Sequence, residues 1–113
     1  MIRSASLILC CLLLGACASK PPYMFWGNYS QTLYDYKKEP SPETRARHAE
    51  QLEYIIERSE SLKIAPPPGV CAELGKLYID MGQQAKGVAM LNKEVELYPE
   101  AQPLMTMVLK QTK

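Results

Sequence analysis

The sequence predicts an all-α fold, a short antiparallel array of about five helices. Three observations carry that expectation. Apolar and small residues recur at three- and four-residue spacing, most clearly at Ala46, Ala49, Leu52, Ile56 and Ser59. Strong breakers punctuate the chain at Pro40, Pro42, Pro66-Pro67-Pro68-Gly69, Gly82 and Pro99. No run alternates polar and apolar residues for long enough to make a strand.

The N-terminus reads as a targeting segment over residues 1–16. Arg3 supplies the positive charge, and a mostly apolar stretch reaches Leu14, too short to span a bilayer as a mature helix. It ends in Leu14-Gly15-Ala16-Cys17, which resembles the bacterial lipobox, where the chain is cut before an acylated cysteine. That resemblance implies lipidation of Cys17. More than one acyl chain, each buried methylene contributing about 0.8 kcal/mol, makes such an anchor effectively permanent. Ala18 and Ser19 follow, without the Asp that retains such proteins in the inner membrane, so the resemblance implies an outer-membrane address. Residues 17–22 form the lipidated cysteine and a tether, extended by Pro21 and Pro22.

Removal of residues 1–16 from the 113 leaves 97, enough for a single helical domain over 23–113. Arg3 leaves with that segment, so 12 Lys and Arg face 12 Asp and Glu. Balanced charge argues against broad binding to nucleic acid or anionic lipid. Cys10 and Cys11 are lost and Cys17 carries lipid, which leaves Cys71 without a partner in its own chain. In an apolar helical pattern it reads as a small core residue; an intermolecular bridge or reactive thiol is the alternative.

An aromatic segment opens the domain, with Tyr23, Phe25, Trp26, Tyr29, Tyr34 and Tyr36 providing six of the nine aromatic residues. A helix is expected from about Asn28 to Lys38, with Asn28 or Ser30 as cap, broken at Glu39-Pro40-Ser41-Pro42. A long helix follows from Pro42 to about Lys63. Ser41 suits its N-cap, Pro42 its first position and Glu43 its positive end. Ile55 and Leu62 widen its apolar stripe. Further helices are expected over about Val70 to Met81, Gln84 to Tyr98 and Gln102 to Lys110, the last of which, with Leu104, Met107 and Val108, would cap the stack.

Residues 68–101 resemble one tetratricopeptide repeat, W-x₂-L-G-x₂-Y, A-x₃-F, P. Cys71, Leu74, Gly75 and Tyr78 fall at the first spacings, Gly87 and Leu91 at the small-then-large pair, and Pro99 at the terminal proline. Gly75 and Gly87 would let two helices approach closely, with Leu74, Tyr78 and Leu91 packed around them. Cys71 in place of the aromatic, and Glu94 where a small residue is usual, depart from that pattern. The two preceding helices would act as a degenerate first pair, because a single repeat needs neighbours.

Chemistry is sparse. His48, flanked by Arg45, Arg47 and Glu50, reads as exposed, and no second ligand stands at metal-binding spacing. Neither a nucleophile elbow nor a glycine-rich phosphate loop is present. The expectation is therefore a protein with no catalytic residues, cofactor, metal or small-molecule substrate. Glu50, Glu53, Glu57 and Glu60 line one side of the long helix, read as a solvated face partly neutralised by Arg47 and Arg58, or else as a ridge for a basic partner or a divalent cation. The aromatic segment divides between core packing and contact with a partner or membrane; Trp26, Tyr29 and Tyr34 are its candidate binding residues.

The whole chain is similar to a family of small Gram-negative lipoproteins of unknown function. The resemblance rests on the lipobox, on Trp26-Gly27-x-Tyr29 with Leu33-Tyr34, and on Pro67-Pro68-Gly69 to Gly75-x-x-Tyr78. Such members are encoded beside a lipoprotein similar to the curli-secretion channel, which implies a protein partner in an outer-membrane assembly. The expected function is that of a lipid-anchored adaptor or assembly factor; the alternative is a structural lipoprotein contacting membrane or peptidoglycan.

Overall fold

The structure is a computed structural model that describes residues 23–111. The targeting segment, Cys17 and the tether lie outside the described residues. Five α-helices follow in order: α1 Tyr29–Lys38, α2 Pro42–Ser61, α3 Val70–Asp80, α4 Gln84–Leu97 and α5 Gln102–Gln111. A 3₁₀ turn, Pro99–Ala101, joins the last two, and no strand occurs among the described residues. Each helix packs on the one next to it in sequence, so the array is built from local hairpins.

Local chemistry sets the helix ends. Ser41 Oγ accepts the Thr44 amide at 3.1 Å while Thr44 Oγ1 accepts the Ser41 amide at 3.0 Å, a reciprocal cap at the start of α2. Pro42 occupies the first turn, where its missing N–H costs nothing. Asn28 precedes α1 without a side-chain cap bond, contrary to the role its residue type suggests. Both α2 and α3 end in a left-handed residue that lets later amides close on the last carbonyls. After α3 that residue is Gly82 at φ 81°, with the Gln83 amide reaching Tyr78 O. After α2 it is Lys63 at φ 57°, with the Ile64 amide reaching Ser59 O, a position where a side chain is strained.

The core lies between α2 and α3, where Leu52, Ile55 and Ile56 meet Val70, Cys71, Leu74, Leu77 and Tyr78. Leu91 closes it from α4. The expected stripe of α2 is buried at Ala49, Leu52, Ile55, Ile56 and Ser59, whereas Ala46 and Leu62 lie outside it and are exposed. Cys71 is buried at 1 % exposure, the core position its pattern suggested. Burial pushes its thiol up to about 11, with Glu94 and Glu60 adding to the rise and Lys93 opposing it.

The α3–α4 hairpin depends on two glycines. A Cβ built on Gly75 would stand 2.8 Å from the Gly87 carbonyl oxygen, and one on Gly87 would stand 2.6 Å from the Gly75 carbonyl oxygen. Two backbones therefore touch where the spacing placed small residues. The last helix turns a different face inward. Met105 is buried, while Leu104 and Met107 are exposed. A 3₁₀ turn that the sequence pattern did not reveal precedes this helix, on which positions 105, 108 and 109 are the least exposed.

Candidate functional site

Helix α1 has no fully buried residue of its own. It is held instead by a polar cluster centred on His48 of α2. His48 is 0 % exposed, which corrects the expectation of an exposed ring. Its phase explains the burial: position 48 lies four, seven and eleven residues before Leu52, Ile55 and Ser59, on the core side of α2. Of its charged neighbours, Arg47 and Glu50 are exposed on the other faces, while Arg45, three residues earlier on the same side, is half-buried.

The His48 ring joins three helices. Its Nε2–H donates to Glu73 Oε1 on α3 at 2.6 Å, and Nδ1 meets Thr32 Oγ1 on α1 at 2.7 Å. Assigning the proton to Nε2 makes Nδ1 the acceptor of the threonine hydroxyl. Glu73 Oε2 accepts the Tyr29 hydroxyl of α1 at 2.7 Å. The rings of Tyr29 and Tyr36 cover the imidazole, at centroid distances of 5.5 Å (tilted) and 6.4 Å (stacked). Burial tends to raise the Glu73 carboxyl, but the hydrogen bonds from His48 and Tyr29, with His48 and Lys37 nearby, outweigh it and hold it below its ordinary range. Desolvation and the adjoining carboxylate push the Tyr29 hydroxyl up to about 12.

A hydroxyl, an imidazole and a carboxylate in line resemble a nucleophile relay in composition alone. His48 is fully enclosed, and the Thr32 hydroxyl lies 3.3 Å and 3.2 Å from the carbonyls of Asn28 and Tyr29. What this geometry does is tie α1 to α2 and α3. A buried polar network of this kind fixes one arrangement, because each member left unpaired is costly.

The surface beside this tie is aromatic. Tyr23 is 65 % exposed, Trp26 43 % and Tyr54 49 %, with Met24 also open. Trp26 meets Tyr29 edge-on at 5.1 Å, and Phe25 meets Tyr54 edge-on at 5.7 Å. Tyr54, on α2, thus extends the aromatic segment across two elements; its position among charged residues gave no sign of this. Of the three candidate binding residues, Trp26 and Tyr29 come together, but the Tyr29 hydroxyl is committed to Glu73. Tyr34 stands apart at 58 % exposure, lining a separate polar cleft with Lys38 and Arg47 and carrying Lys38 Nζ 5.7 Å over its ring.

Glu50, Glu57 and Glu60 are exposed, as a solvated face requires, and two members of the series also reach other helices. Glu53 accepts from the Tyr78 hydroxyl on α3, and Glu60 pairs with Lys93 on α4 at 2.5 Å rather than with an arginine of its own helix. Among the described residues no group of three or more His, Cys, Asp or Glu is placed to hold a metal ion. No described helix is long and apolar enough to cross a membrane.

These features define a small helical array whose first helix is tied down through a buried histidine and whose N-terminal surface is aromatic. The chain belongs to the family described as Domain of unknown function (DUF4810), which matches residues 23–108. No curated protein and no solved structure matches it.

Proposed function

We propose that this chain is an envelope lipoprotein, anchored in the outer membrane through acyl groups on Cys17, that acts as a protein-interaction adaptor or assembly factor. The observation that carries the reading is the exposure of Tyr23, Met24 and Trp26, on a segment that begins six residues after Cys17, and of Tyr54 on the helix that Phe25 of that segment meets. Six residues reach at most about 20 Å, so the cluster would lie near the membrane surface. Tyrosine and tryptophan offer large, stiff contact area at low entropic cost and are enriched at the centres of protein interfaces. The His48 tie supports the same reading, since it fixes the segment that presents them. The family resemblance of the sequence points to a curli-channel-like lipoprotein as the partner. No catalytic step, cofactor or small-molecule substrate enters this proposal.

Chemical crosslinking of the native, lipidated protein in envelopes, followed by mass spectrometry of its neighbours, tests the adaptor. A discrete outer-membrane protein partner supports it; recovery of no protein neighbour contradicts it. Exposed tyrosine and tryptophan near an anchor also suit the headgroup region, which favours a second reading as a structural lipoprotein lying on the membrane. Binding of the domain to liposomes, weakened by Trp26→Ala and Tyr23→Ala, is the outcome expected of that reading alone.

A further inference from the structure

At the other end of the array, the start of α3, the end of α4 and α5 enclose a cleft of about 310 Å³. Pro68, Ala72, Tyr98, Leu104 and Met105 give it apolar walls. The charged residues lining it are of one sign, Glu94 and Glu100. Glu94 is 2 % exposed; its Oε1 accepts the Gly69 amide at 2.5 Å, and its Oε2 is buried with no hydrogen-bond partner. Burial raises its carboxyl, against the pull of the Gly69 amide bonded to Oε1 and of the Ala72 amide, which lies nearby outside hydrogen-bond geometry.

We propose that this cleft receives a lysine side chain from a partner polypeptide, its ammonium paired with Glu94 and its methylene stem laid against Ala72, Tyr98 and Leu104. A buried carboxylate oxygen without a donor is costly, and an entering ammonium supplies the missing partner. A neutral apolar group would fill the cleft but leave Oε2 unpaired. An anion would be repelled by both glutamates. The Tyr98 hydroxyl cannot serve, because it donates to Pro66 O at 2.6 Å; its ring, however, offers a face that favours a cation. Lysine combines a long apolar stem with a compact charge, which matches apolar walls around one carboxylate. The polypeptide nature of the occupant rests on the adaptor reading; the chemistry of the cleft does not.

The test is an amide-shift titration of the full-length chain in detergent micelles by NMR, using acetyl-Leu-Lys-Leu-amide and its Nε-acetylated counterpart. The expected result is saturable shifts confined to Gly69, Ala72, Glu94 and Leu104, with a Kd on the order of 1 mM for so small a ligand. Acetylation of the lysine, or Glu94→Gln, weakens binding at least about tenfold, which is about 1.4 kcal/mol. Ala72→Leu, which fills the cleft without disturbing a helix position, abolishes it. Equal binding of the acetylated peptide, unchanged binding by Glu94→Gln, or no shift at all (Glu94 being satisfied by ordered water alone) overturns the assignment. Failure of envelope crosslinking would remove the adaptor while leaving this titration intact, so the two ideas fail separately.

Discussion

Replacing Gly87 by alanine probes the contact on which the α3–α4 hairpin is built. The new Cβ would stand 2.6 Å from the Gly75 carbonyl oxygen and 2.4 Å from Ile79 Cγ1, whereas ordinary contact begins near 3.4 Å. Ile79 can rotate away, but the Gly75 backbone cannot, so the helices must separate by several tenths of an ångström. Leu91, 1 % exposed and packed over Gly75, then loses contact on one side. Overpacking of this kind costs about 1–3 kcal/mol. Alanine's better helix propensity returns about 1 kcal/mol of that. The net expectation is a loss of about 0–2 kcal/mol, centred near 1, which for a domain of this size lowers Tm by about 4–8 °C. Thermal unfolding followed by far-ultraviolet circular dichroism measures it. Gly75→Ala should behave alike, and the double variant should lose less than the two singles combined, because one separation relieves both clashes. An unchanged or raised Tm for Gly87→Ala would refute the reasoning, since propensity alone would then govern the site.

Four further outcomes are expected. His48→Ala removes the partner shared by Glu73 and Thr32 and should cost about 1–3 kcal/mol, with hydrogen exchange accelerating first over α1 (Tyr29–Lys38). Glu73 is held below its ordinary range, so its stabilisation is complete above the unfolded carboxylate pKa, about 4.3, and is lost as pH falls through the lower folded value; acid titration of wild type against Glu73→Gln should show the difference vanish only below about pH 4. Cys71, raised from about 9 to about 11 and buried, should react with a disulfide reagent at least about a hundredfold more slowly in the folded chain than in denaturant, as timed thiol release would show. Lys63→Gly should raise Tm by a few degrees, because glycine relieves about 1 kcal/mol of left-handed strain at φ 57°.

Much of the fold was legible because its punctuation is local. Ser41-Pro42, the three prolines before Gly69, and Gly82 each act through their own backbone, and the helices begin and end within a few residues of where those signals stand. The Gly75–Gly87 contact was legible through its spacing. The orientation of α5 was not: the helix begins at Gln102 as expected, but its packing on the array makes Met105, rather than Leu104 and Met107, the inward residue. The charged neighbours of His48 point to an exposed ring, whereas its register with Leu52, Ile55 and Ser59 is the signal for its burial. Glu73 and Tyr54 carried no comparable signal. Their partners lie 25 or more residues away in sequence, and only the packing of α1 and the preceding segment on α2 and α3 brings them together. The aromatic segment proved to be both core and surface: Phe25, Tyr29 and Tyr36 pack inward, while Tyr23, Trp26 and Tyr34 remain open.

The most direct test of the adaptor proposal is site-resolved photocrosslinking in living envelopes, with a benzophenone amino acid placed at Trp26, at Tyr54 and, for comparison, at the exposed Glu96 of α4. One protein adduct of the same mass is expected from positions 26 and 54 and none from position 96. The absence of any protein adduct from positions 26 and 54, or an equal adduct from position 96, would contradict it.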